Sequence, residues 1–121
     1  MTQTSLDLYK QRLGEIPETV WQNVELEWLN LAGNGLRSIS GQIGKLVCLT
    51  MLDLGHNQLS SLPDAFDALA HLRFLYLSNN RLRTIPPSLW SLKSLIYLNI
   101  TDNQLTSLPD GMGLLSNLIE V

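Results

Sequence analysis

Residues 72–94 read LRFLYLSNNRLRTIPPSLWSLKS, and the same arrangement of leucine and asparagine returns 23 and 46 residues earlier and 23 residues later. Leu26, Leu49, Leu72, Leu95 and Leu118 share one position of this unit, Leu29, Leu52, Leu75 and Leu98 a second, and Leu31, Leu54, Leu77 and Ile100 a third. Asn34, Asn57, Asn80 and Asn103 stay in step. Leu36, Leu59, Leu82 and Leu105 follow, then Ile39, Leu62, Ile85 and Leu108, the last three each preceding a proline. A fixed period of this length decides the architecture before local propensity does, because each unit is a module that must stack on its copies. The leading segment is looser: Leu6, Leu8, Leu13, Ile16, Pro17 and Val20 hold register, but Gln11 stands in the asparagine position and Asn23 in a leucine position. Repeats therefore start near residues 3, 26, 49, 72 and 95, with a partial sixth from 118, in one domain over 1–121.

Within each unit the alternation in ELEWLNLAG, TMLDLGH, RFLYLSN and IYLNITD predicts a five-residue strand with one buried face. Copies that run in one direction, each joined by a return segment, stack in parallel at about 4.8 Å. The asparagine stands where the chain leaves the strand, and its amide can both donate to and accept from backbone groups that a buried turn leaves unpaired. Proline at 63, 86 and 109 fixes φ on the return path. DAFDALAHL and PSLWSLKSL predict short helical turns with Phe66, Leu69, Leu89 and Leu92 inward.

The common unit LxxLxLxxNxLxxLPxxLxxLxx resembles the leucine-rich repeat family over nearly the whole chain. It is most similar to the intracellular 23-residue type of Ras-group proteins and to the repeat regions of bacterial effectors. The resemblance implies an α/β solenoid. Its curved parallel sheet would line the concave face, and short helical turns or irregular loops the convex one.

Composition narrows the function. Leucine supplies 27 of 121 residues yet never forms the roughly 18-residue apolar run of a membrane helix. A net charge of −3 gives no basic footprint for nucleic acid. The single cysteine, Cys48, forms no internal disulfide, and no cysteine or histidine cluster completes a zinc site, which suits a reducing compartment. The opening MTQTSLDLYK lacks the basic start and apolar stretch of a secretory signal. A cytoplasmic location is the expectation, in a bacterial protein or in an effector secreted without a cleavable signal. The chain stops inside a unit, just past Leu118, so a fragment of a longer chain is expected.

With the leucines inward, the remaining strand positions form columns on the concave face. The first runs Ser5, Trp28, Met51, Phe74, Tyr97 and Glu120; the second Asp7, Asn30, Asp53, Tyr76 and Asn99; the third Tyr9, Ala32, Gly55, Ser78 and Thr101. Trp28, Met51, Phe74 and Tyr97 thus make an apolar stripe, bordered by Asn30, Asp53, Tyr76 and Asn99, with the anatomy of a protein interface. The competing reading is that these side chains only pack on one another across strands. Arg73, Arg81 and Arg83 fall in one repeat and offer an edge for an acidic partner. His56 and His71 read as surface residues and Cys48 as an inert buried thiol. The sequon at Asn99 lies within a strand, GNG at 33–35 and GMG at 111–113 read as turns, and Trp21 and Trp90 partly cover the convex back.

No nucleophile with an ordered base, paired carboxylates or phosphate loop can be assembled, so no catalysis, cofactor or small-molecule substrate is expected. The function read from these residues is a non-catalytic protein–protein interaction module that binds a protein or peptide through its concave face. The alternative is the substrate-recognition or regulatory region of a larger enzyme, of effector ubiquitin ligase or kinase type.

Overall fold

The computed structural model describes residues 3–106 and 118–120. Six strands, Ser5–Asp7 (β1), Trp28–Asn30 (β2), Met51–Asp53 (β3), Phe74–Tyr76 (β4), Tyr97–Asn99 (β5) and Leu118–Glu120 (β6), form one open parallel sheet in chain order. From β1 to β5 each residue pairs with the one 23 later, as in Leu6 with Leu29 and Leu52 with Leu75. The last step differs. Tyr97 pairs with Leu118 and Asn99 with Glu120, so Leu118, rather than Glu120, takes the register position of the first column. A shift of two residues preserves which positions share a face, which is why the sheet accommodates it.

The strands are three residues long rather than five, and both ends show why. At the entry, one carbonyl serves two donors: Thr4 O accepts from Glu27 N at 2.7 Å and Trp28 N at 3.1 Å, and Glu27 O accepts from Thr50 N and Met51 N in the same way. At the exit the chain swings into a corner. Lys10, Gly33, His56, Asn79 and Asp102, spaced at the repeat period, all have left-handed φ, between 51° and 70°. Glycine adopts that conformation freely, whereas the other four carry its strain.

The return segments carry an α-helical turn, Glu18–Gln22 (α1), and 3-10 turns at Gly41–Lys45, Phe66–Ala68 and Pro87–Ser91. Phe66, Leu69, Leu89 and Leu92 point inward as the pattern requires. Adjacent turns also lock together: Asp64 accepts from Ser88 N at 2.8 Å, and Ser88 Oγ accepts from Phe66 N at 3.1 Å. Trp21 and Trp90 do not cover the back from outside. At 2% and 5% exposure they are part of the core beneath the helical turns that carry them. Leu108, Pro109 and the GMG at 111–113 lie outside the described residues.

The inner faces form one continuous core in which Leu26, Leu29, Leu31 and their copies in the next two repeats are fully buried. The asparagines run beside it. Asn57 Nδ2 donates to Leu54 O and Gly55 O in its own turn and to Leu31 O in the preceding repeat, at 3.0–3.1 Å, while its Oδ1 accepts from Asn34 N and Leu36 N. Asn34, Asn80 and Asn103 repeat this bridge. Gln11 makes only a local bond, Nε2 to Tyr9 O at 3.3 Å, and is exposed. Its backbone N–H is instead served by Asn34 Oδ1 from the next repeat.

Two outcomes follow for stability. Leu75→Ala empties a site with leucines on both neighbouring strands and is expected to cost about 2–5 kcal/mol in a urea melt. Asn57→Ala strands several buried backbone groups and is expected to cost about 1–3 kcal/mol, with Gln11→Ala clearly smaller in the same assay.

Candidate functional site

The outward face of the sheet brings the predicted stripe together. Trp28, Met51, Phe74 and Tyr97 are register partners on four successive strands, and Asn30, Asp53, Tyr76 and Asn99 are partners in the column beside them. Trp28 is the most open of the stripe, 36% exposed, and Met51, Phe74 and Tyr97 are half-buried. Part of that burial is mutual, as the packing alternative expects. The rings of Tyr76 and Tyr97 lie 5.4 Å apart at 48°, and the Tyr97 hydroxyl accepts from Asn99 Nδ2 at 3.1 Å.

The Asp and Asn border has a structural duty that the sequence columns alone did not reveal. Asp7, Asn30, Asp53 and Asn99 each fold their Oδ1 back onto the N–H two residues ahead, at 2.9–3.0 Å. These turns start the bend into the left-handed corner. Tyr76 breaks the column and offers an aromatic face instead. The signal that marks them is an Asp or Asn two residues after the outward position of the first column, followed two residues later by a small residue in all but the first repeat, where Tyr9 stands. It also disposes of the Asn99 sequon as an open acceptor, because the amide is held by Thr101 N, Thr101 Oγ1 and Tyr97.

Asp53 differs from its column neighbours electrostatically. Burial pushes its carboxyl above the ordinary 3.8, opposed by the Gly55 N–H and by His56. The exposed Asp64, by contrast, is held below the usual value by Ser88. His56 and His71 are exposed, as expected, and His56 Nδ1 contacts Asn79 Nδ2 at 3.0 Å.

The arginines do not form one edge. Arg73 enters β4 and lies over the Phe74 ring at 5.8 Å, extending the stripe, whereas Arg81 and Arg83 lie beyond the asparagine at the strand exit. Cys48 is half-buried rather than buried, because it precedes the inward Leu49 and faces the strand entry. There it lines a shallow cleft of about 420 Å³ with Thr4, Glu25, Glu27, Thr50 and His71. A second cavity, of about 490 Å³, lies at the first two returns, between Gly14, Glu15, Glu18 and Arg37. Among the described residues, no group of three or more His, Cys, Asp or Glu is placed to hold a metal ion. No helix among them is long and apolar enough to cross a membrane.

With parallel strands one per repeat and an asparagine ladder at the exit, family models described as leucine rich repeats match residues 4–59, 24–82 and 70–118. The chain belongs to the leucine-rich repeat family. Among solved structures it is similar to an LRR protein of Leptospira interrogans, LIC12759, with 31% identity and a TM-score of 0.81 over 88% of this chain. It is also similar to an internalin (inlF) of Listeria monocytogenes, with 25% identity and a TM-score of 0.71 over 84% of this chain. The chain spans 28% and 29% of those two proteins. No curated relative matches it.

The geometry of Asp53 yields a pH prediction. A carboxyl raised in the folded state binds more protons folded than unfolded, so stability falls as pH rises from 3.8 through the folded value, and the penalty stays in full above it. Asp53→Asn keeps the turn bond without the charge. It is expected to raise the urea midpoint at neutral pH and to leave it unchanged below pH 3.8.

Proposed function

We propose that this leucine-rich repeat module is a non-catalytic binding surface for a protein or peptide segment, which docks on the outer face of β2 to β5. The observation that carries this reading is the run of Trp28, Met51, Phe74 and Tyr97 in register on adjacent strands, left partly open where a covered core would bury them. Large aromatic and thioether side chains supply the anchors of protein interfaces, and a polar border excludes water around them. Arg73 over Phe74 prolongs the surface toward the strand entry. Leucine-rich repeats commonly serve as protein-interaction modules, which supports the same reading. The proposal extends to a larger parent protein, since the two similar structures are each more than three times the length matched here, and a catalytic region elsewhere in it would use this face to choose its substrate.

Phe74→Ala separates binding from packing. Truncating a central anchor commonly costs a complex 2 kcal/mol or more, whereas a cross-strand neighbour contributes about 0.2–1 kcal/mol to the fold. The variant is expected to stay folded by circular dichroism and to lose at least about tenfold in affinity for a partner captured with the wild-type chain. Full affinity, or an unfolded variant, would show the stripe to be packing.

A further inference from the structure

Asp53 carries a charge that its turn does not need. In the same column Asn30 and Asn99 make the same bond to the N–H two residues ahead, at 2.9 and 3.0 Å, with a neutral amide. Asp53 makes it at 2.9 Å with one carboxylate oxygen, Oδ1, taken by Gly55 N. The other oxygen, Oδ2, has no hydrogen bond or ion pair among the described residues. Gly55 packs closely against the bonded oxygen. A Cβ at Gly55 would come within 3.1 Å of Asp53 Oδ1 and 3.4 Å of Ser78 Oγ.

Asp53 stands among large apolar and aromatic side chains on the strand face. Tyr76 is the register partner of Asp53 on β4, Met51 precedes it by two residues on the same face, and Trp28 and Phe74 flank Met51 on the neighbouring strands. A carboxylate next to rings and a thioether suits an alkyl stem ending in a positive charge, since the rings attract the cation and the low local polarity strengthens the ion pair. Of the chain's own basic groups, His56 acts on the Asp53 carboxyl through space without a hydrogen bond or ion pair to it. The Arg73 guanidinium lies over Phe74, and His56 has its Nδ1 against Asn79.

We infer that the strand face recognises a basic side chain: a lysine or arginine of the docked segment lays its stem along Met51 and Tyr76 and sets its cation on Asp53 Oδ2. This rests on the reading of that face as a protein-binding surface and names the chemistry that the partner must carry there. Docking buries the Asp53 carboxyl further, and the partner's opposite charge offsets the cost of burial because it favours the ionised form.

The test uses randomised peptides displayed on phage, selected against this chain and then synthesised. The expected result is a peptide containing lysine or arginine. Replacing that residue with norleucine should weaken binding at least about tenfold to the wild-type chain and less than about twofold to Asp53→Asn, which is the signature of a direct pair. Asn at this position is native in the repeats at 30 and 99, so the variant keeps the turn, and circular dichroism checks the fold. Selected peptides without a basic residue, or norleucine losses equal in both chains, would overturn the inference. If such peptides still lost affinity for Phe74→Ala, the strand-face reading would stand without it. Peptides indifferent to both substitutions, or a selection that enriched none, would overturn both.

Discussion

A parallel solenoid has to turn its chain out of the sheet beside a dry core, and every such corner leaves carbonyls and N–H groups with nothing to pair. The buried asparagine amides meet that demand in two directions, because each Nδ2 donates both to its own turn and to the carbonyl of the preceding repeat, as Asn57 does to Leu54 O and Leu31 O. Backbone groups left unpaired away from water cost on the order of 1–3 kcal/mol each. No buried side-chain nitrogen or oxygen among the described residues lacks a partner. The ladder therefore sets the register of the strands as much as the leucines do. The leucine contacts are non-directional, and the amide bonds are not. The first repeat shows the dependence from the other side. Lacking its own asparagine, it borrows Asn34 from the second, and its Leu6, Leu8, Leu13 and Ile16 remain only half-buried.

The period made much of this legible before any coordinates. A leucine at a fixed position in successive units can satisfy only one geometry, so Leu29, Leu52 and Leu75 fall in register, and Phe66 and Leu89 turn inward where the return pattern requires. What escaped the sequence was local. Strand length is set by carbonyls shared between two donors and by left-handed corners at Lys10, His56, Asn79 and Asp102, residue types that hydrophobic periodicity does not weigh. Trp21 and Trp90 were misplaced because a large ring on a return segment fits a convex surface or the wedge beneath a helical turn equally well, and only three-dimensional packing decides between them. The register at β6 was misjudged by two residues, since alternation repeats every two and cannot separate such alignments.

The candidate site was legible as a set of columns but not as a division of labour. Trp28, Met51, Phe74 and Tyr97 do share one face, and the column beside them was expected to be a plain polar rim. Its Asp and Asn side chains instead build the bend that ends each strand, which leaves less of their bonding capacity for a partner than composition suggests. Tyr76 and Tyr97 spend part of their surface on each other. The groups with unspent capacity are consequently few and specific: the open indole of Trp28, the Met51 thioether and the second oxygen of Asp53.

Rigidity connects these two levels. Each outward side chain on β2 to β5 stands on a strand fixed laterally by the parallel ladder and at its exit by an Asx bend or an asparagine bridge, so the spacing between anchors is set before any partner arrives. A surface built this way forgoes little backbone entropy on binding, and the cost of association falls mainly on side-chain rotamers and on the partner. Affinity then depends on how well a ligand matches a fixed pattern of apolar and charged positions, rather than on how far the module deforms. Changing one outward residue alters that pattern and leaves the leucine and asparagine scaffold intact. The period of 23 therefore leaves the outward columns free to vary from Trp28 to Met51 to Phe74 while the inward leucine hardly changes.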